Sequence, residues 1–130
     1  FVDEYTEVNE AGAQGSYRLK EEEYFYQGHF PDRPITPGVI LTEIMAQIGL
    51  VGLGMFLTNS HQDPIPREFV FTSSEVDFLK PVYPGETVTV ESEKVYFRLG
   101  KLKCKVKMLN ETGETVCKGK LSGMMIRTKS

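Results

Sequence analysis

Three residues stand at positions where their chemistry is conspicuous. Glu43 lies one to two turns into an apolar run that includes Val39, Ile40, Leu41, Ile44, Met45 and Ala46. A carboxylate there is costly unless it is paired or stays protonated. Gln47 follows four residues later, a spacing that puts both side chains on one helical face. His29 stands just upstream in Gly28-His29-Phe30-Pro31. A histidine base and a carboxylic acid are a common pair for moving protons. Gly38 supplies a third element, because backbone N–H groups in a helix's first turn lack partners and the dipole there favours developing negative charge. That is what an oxyanion site needs. Spacing alone leaves bland roles open, since a loop histidine is more often structural and a helical Glu can cap a neighbouring chain. The other histidine, His61, falls in the polar stretch from Asn59 to Pro66 and reads as an exposed loop residue.

These residues need a helix and something to hold it. Thr36 is the expected N-cap and Pro37 the first helical residue. From Val39 to Leu57 apolar residues occur on all sides, so the helix either spans a membrane or is wrapped by protein. Its apolar run is near the spanning threshold of about 18 to 20 residues. Glu43, Gln47 and the glycines Gly49, Gly52 and Gly54 favour wrapping, as does the strand-rich remainder. Strands are expected over Val2 to Glu10 and Ser16 to Glu23, separated by a turn at Gly12 to Gly15. The acidic run Glu21-Glu22-Glu23 reads as a solvated edge. Downstream, Phe69 to Leu79 is a strand ended by the Pro- and Gly-bearing turn Lys80 to Glu86. Thr87 to Phe97 is another. Leu102, Cys104, Val106 and Met108 then alternate with Lys101, Lys103, Lys105 and Lys107, the clearest period-two signal in the chain. A hairpin turn at Asn110 to Glu114 leads to a last strand, Thr115 to Arg127. The order is strand, strand, long helix, four strands. It predicts an α+β fold, with an antiparallel sheet curled around one apolar helix.

The chain's 130 residues suffice for one domain, read as 1–130, and its 40% hydrophobic content suits a globular protein. A net charge of −3 argues against a nucleic-acid binder. Residues 1–79 hold 4 Lys/Arg against 13 Asp/Glu, whereas residues 80–130 hold 11 against 5. Either the halves interleave and partly cancel, or a basic face meets an acidic partner. Cys104 and Cys117 sit in strand patterns and are expected to be buried, reduced thiols of a cytosolic protein; no Cys/His cluster suggests zinc. No signal peptide is read, and the opening Phe1-Val2-Asp3 without Met is expected to follow a segment lost or processed.

The stretch Tyr26-Gln27-Gly28-His29-Phe30-Pro31-Asp32-Arg33-Pro34-Ile35-Thr36-Pro37-Gly38-Val39, followed by Glu43-Ile44-Met45-Ala46-Gln47, resembles the signature of 3-hydroxyacyl-(acyl carrier protein) dehydratases of the FabZ/FabA type. Their pattern is GHFPG-x-P-x-MPGV, then E-x-x-AQ. Val76-Asp77-Phe78-Leu79-Lys80-Pro81-Val82-Tyr83-Pro84-Gly85-Glu86 and Phe1-Val2-Asp3 resemble the same family. The resemblance implies a hotdog fold and dehydration of carrier-bound 3-hydroxyacyl thioesters to trans-2-enoyl thioesters, in fatty-acid synthesis or a related lipid or polyene pathway. It implies a cytoplasmic homodimer, assembling further into a hexamer in many members, with sites shared between subunits and no metal or redox cofactor. His29 would be the base and Glu43 the acid, its pKa raised by the apolar helix. Gly38 N–H would polarise the thioester carbonyl and Gln47 would position the carboxyl. Tyr26, Phe30, Pro37, Val39 and Phe78 are candidates to line an acyl tunnel, although ordinary core packing is the commoner fate of such residues. Arg98, Lys101 and Lys103 are candidates to dock the acidic carrier protein. Asp32 and Thr36 depart from the family's usual Gly and Met. Other hotdog activities, thioesterase or dehydratase/isomerase, and a non-catalytic acyl-binding subunit remain the alternatives.

Overall fold

Alternation of inward and outward side chains builds the sheet. The computed structural model describes residues 2–20, 35–59 and 67–127. His29, Tyr26, Phe30, Asp32, His61 and the acidic run at 21–23 lie outside these described residues. Among the described residues the strands are β1 (Glu4–Asn9), β2 (Gly12–Arg18), β3 (Arg67–Phe78), β4 (Thr87–Arg98), β5 (Lys101–Leu109) and β6 (Thr115–Arg127). They form one six-stranded antiparallel sheet in the order β1-β2-β4-β5-β6-β3. The helical segment between β2 and β3 runs as α1 (Gly38–Met45), a π-helical turn (Ala46–Val51) and α2 (Gly52–Asn59).

The helix and the sheet's concave face make the core. Leu102, Cys104, Val106 and Met108 point inward from β5, as its alternation requires, and meet Leu41, Ile44, Met45, Ile48, Leu50 and Leu53 from the helix. The stretch Gly38–Leu57 is 20 residues long and apolar enough to cross a membrane by composition. Here it is the helix around which the sheet curls. Burying each such Leu or Ile contributes roughly 1.5–3 kcal/mol, and about half of the helix's residues are buried in this way, while Val39 and Phe56 stay exposed. Cys104 and Cys117 are free and fully buried. The Cys117 thiol lies 3.7 Å from Met45 Sδ and 4.0 Å from Met108 Sδ, a sulfur cluster linking helix to sheet.

The lysines of β5 face outward. Lys107 and Lys105 pair in register with Glu91 and Glu93 of β4 on one side and with Lys118 and Lys120 of β6 on the other. β3 adds Asp77 beside Lys118 and Glu75 beside Lys120. The acidic and basic halves therefore interleave on the outer face.

Two local expectations require correction. The first turn falls between Asn9 and Gly12, not at Gly12 to Gly15, which belongs to β2. Ala13 and Gly15 point at the helix, where a Cβ on Gly15 would come within 2.8 Å of Ile48 Cγ2. Small residues that look like a turn are there because helix and strand approach closely. Thr36 is not the N-cap: that position is Pro37, with extended backbone (ψ 144°) and no side-chain cap. Thr36 is instead buried, and its N–H donates to the Val82 carbonyl at 2.9 Å.

Candidate active site

The helix start is built by its neighbours in the sheet. Thr36 anchors the approach to Val82, and Pro37 sets the entry angle. Gly38 is the first helical residue, so its N–H is among those without an intrahelical acceptor. The ring of Phe78 lies directly over it: a Cβ on Gly38 would stand 2.9–3.2 Å from three ring carbons. A side chain at this position would push the Phe78 ring aside. Phe78 is held there because the chain stays paired beyond β3. Leu79 and Lys80 N–H both donate to the Val116 carbonyl, at 2.8 and 3.1 Å. The Lys80 ammonium also pairs with the Glu114 carboxylate. Beside Gly38, with Leu41, Phe78 and Pro81 in its walls, lies a cavity of about 390 Å³.

Glu43 departs from expectation. It is exposed, not buried, because α1 turns Val39 and Glu43 away from the sheet, while Gln47, one turn on in the π-helical segment, is half-buried. Val39 is 74% exposed on the same stripe. The helix is wrapped on most sides but not on this one, so the chain alone does not bury the carboxylate. Gln47 reaches back one turn, its Nε2 donating to Glu43 Oε1 at 3.1 Å. From the helix, Leu41 lines the cavity beside Gly38; Leu41 and Glu43 are two residues apart, so at about 100° per residue their side chains project about 160° apart around the axis. One chain therefore does not turn Glu43 toward the Gly38 cavity.

The other candidates divide similarly. Pro37 and Val39 flank Gly38. Val39 and Phe78 (52% exposed) do not take the ordinary core positions such residues usually hold. Tyr26, His29 and Phe30 lie outside the described residues. Arg98, Lys101 and Lys103 come together around the β4–β5 hairpin, where Arg98 pairs with Lys101 and stacks over the Tyr96 ring at 4.7 Å. The turn between them places Leu99 at positive φ (52°), 97% exposed. This hairpin lies beside Gly123 and Met124 of β6, about six residues along the sheet from the Phe78–Cys117 pair that flanks Gly38. That is about 20 Å at about 3.3 Å per residue.

Tyr5 is a participant that sequence reading missed. Its hydroxyl donates to the Gln47 carbonyl at 3.0 Å, inside the π-helical turn. The signal was the glycine at position 52, which the ring packs against.

A curled antiparallel sheet on one central helix, with an acid, an amide and a helix N-terminus on that helix, defines a hotdog-fold protein. A hypothetical thioesterase from Streptococcus pneumoniae, solved with coenzyme A, shares the fold with a TM-score of 0.68 at 16% identity, over 98% of this chain and 88% of that one. The sequence narrows the class. The FabA-like domain family matches residues 1–123. The 3-hydroxyacyl-[acyl-carrier-protein] dehydratase FabZ of Caldicellulosiruptor bescii is 38% identical over 123 residues, covering 92% of this chain and 83% of the relative. The enzyme of the same name from Bacillus licheniformis is 37% identical, covering 92% and 81%. The chain belongs to the FabA-like family.

Proposed function

We propose that this chain is a 3-hydroxyacyl-(acyl carrier protein) dehydratase, forming trans-2-enoyl thioesters in fatty-acid or related lipid synthesis. The observation that carries the reading is the Gln47–Glu43 pair on an open helix face, one and a half turns from the Gly38 N-terminus. It is supported by relatives of that name at 37 and 38% identity over nine-tenths of the chain. The thioesterase neighbour at 16% identity supports the fold only.

In this mechanism His29 takes the α-proton of the substrate. The electron pair moves toward the thioester carbonyl, whose oxygen is stabilised by Gly38 N–H at the positive end of the helix dipole. Glu43, protonated, gives its proton to the departing 3-hydroxyl, which leaves as water as the double bond forms. The proton on His29 then returns to Glu43 through solvent, and the site is reset. Gln47 holds the Glu43 carboxyl. The cavity beside Gly38 and Phe78 receives the acyl chain; Pro37, Val39, Tyr26 and Phe30 meet the substrate where the second subunit completes the site.

The protein acts as one domain over residues 1–130, in the cytoplasm, as a homodimer able to assemble into a hexamer. That Glu43 faces away from the cavity beside Gly38 supports a site in which the acid comes from the second subunit, whose apposition also covers Val39 and buries Glu43. Arg98, Lys101 and Lys103 receive the acidic carrier.

The test is turnover of enoyl thioesters of several chain lengths, on carrier protein and on coenzyme A, followed by loss of the conjugated absorbance. No turnover on any of them overturns the reading. Lys101→Glu should raise KM for carrier-bound substrate alone; an unchanged KM for carrier-bound substrate, with coenzyme A thioester activity intact, removes the docking role.

A further inference from the structure

The geometry points to Tyr5 as a positioning residue for Glu43, acting from the first strand through Gln47. The inference rests on the functional reading above, in which Glu43 is the acid. Its structural basis begins in β1. Tyr5 pairs with Gly15 and Val8 with Ala13, and the register slips by one residue between Tyr5 and Glu7. Without that bulge, residues three apart would point to opposite faces of the sheet. The extra residue at Thr6 lets both Tyr5 and Val8 turn toward the helix, the kind of re-aiming that bulges accomplish.

What Tyr5 meets there is the irregular part of the helix. In the π turn the Gln47 carbonyl accepts from the Gly52 N–H, five residues on. It also accepts from the Tyr5 hydroxyl at 3.0 Å. A carbonyl oxygen has two lone pairs, and these two donors use both. π turns inside α-helices are uncommon and recur at functional sites. This one begins at Ala46, between Glu43 and the carbonyl that Tyr5 grips. Gly52 completes the device: a Cβ there would lie 2.5 Å from the Tyr5 hydroxyl oxygen and 2.7–2.8 Å from ring carbons. A phenol is a donor at neutral pH, and burial pushes the Tyr5 phenol further up from its ordinary pKa.

The hydroxyl therefore fixes the backbone of Gln47, whose side chain, from the same Cα, donates to Glu43 at 3.1 Å. Tyr5 touches no reacting atom. It acts by fixing the residue that holds the acid.

The experiment compares Tyr5→Phe with wild type, each also in a Gln47→Ala background. Tyr5→Phe keeps the ring and removes only the donor. The expected result is a fall in kcat of about tenfold with KM within about twofold, the pattern of lost transition-state positioning. In the Gln47→Ala background the same substitution should change kcat by less than about twofold, because the path is already cut. The Gln47 side-chain amide resonances, read without substrate, should move in Tyr5→Phe. Gly52→Ala, which displaces the hydroxyl without altering Tyr5, should give the same fall in kcat. Unmoved Gln47 resonances, an unchanged kcat, or an equal loss in both backgrounds overturns the inference while wild-type turnover leaves the functional reading intact. A wild-type chain with no turnover sinks the functional reading and the catalytic half of this inference with it.

Discussion

Gln47 donates from Nε2 to Glu43 Oε1 across 3.1 Å, on a helix stripe that the chain's own sheet leaves open. Glu43 makes no core contact within its own chain, and Glu43→Gln keeps its size and its capacity to hydrogen-bond Gln47, so replacing it should cost the dimer's fold little. Its chemistry should not be spared. Glu43→Gln keeps the shape and removes the acid, and should lower kcat by about 10² to 10⁴-fold, the usual worth of a positioned proton donor. Parallel thermal melts and steady-state assays check this. A large loss of melting temperature, or a kcat near wild type, contradicts the assignment.

Gly38 and Phe78 form a second coupled pair. Gly38→Ala puts a methyl 2.9–3.2 Å from the Phe78 ring. The ring must shift, and because Phe78 is half-exposed its tip can swing outward at little cost to the fold. Moving Phe78 deforms the cavity beside the helix start. We expect Gly38→Ala to lose activity while its melting temperature stays near wild type, and Phe78→Leu to lose activity in the same way because the ring's place on the cavity is lost. Wild-type activity in both variants would show that Phe78 is only packing.

The buried thiols give a pH-dependent expectation. Burial pushes both Cys104 and Cys117 from 9.0 up to about 12, with Lys94 pulling Cys104 slightly back. The folded protein therefore holds these protons more tightly than the unfolded chain. Their contribution to stability is complete below pH 9 and is lost as the pH rises toward 12, where the unfolded state gains by ionising first. Urea midpoints should fall across that interval. Replacing both cysteines by Ala should flatten this part of the profile, at the cost of cavities in the core. At pH 8 the native thiols should resist an aromatic disulfide reagent that labels both in urea; rapid native labelling at either position contradicts the burial.

The legible parts of this protein are those decided within one stretch of chain. The alternation of Lys101 to Met108 fixes which side of β5 faces the core, because a strand's period leaves no other choice. The glycine and prolines of the turn from Lys80 to Glu86 end β3 for equally local reasons. Ala13 and Gly15 misled because their smallness answers to Ile48 on the helix, a neighbour distant in sequence. Glu43 misled for the opposite reason. An apolar run around it implies burial, but what covers that stripe is not in this chain's sheet. For the Tyr5–Gln47 bond the sequence offers only Gly52, whose missing side chain makes room for the ring; the one-residue slip that aims Tyr5 there has no mark in the sequence around Thr6.

The orientation of the site residues has its own consequence for assembly. Glu43 projects about 160° around the helix axis from Leu41, which lines the cavity beside Gly38, so a single subunit does not turn its own Glu43 into that cavity. If the acid is supplied across a dimer interface, His29→Ala and Glu43→Ala homodimers should each lose nearly all activity. In a mixed dimer one of the two sites combines both defects. The other draws its intact histidine from one subunit and its intact glutamate from the other. Random reassembly of equal amounts makes half of the dimers mixed, and each carries one working site, so about a quarter of wild-type activity should return. Differently tagged subunits, purified through both tags, should raise this to about half. Tandem-purified mixed dimers that stay inactive would place all of the chemistry within one subunit and require Glu43 to act by another route.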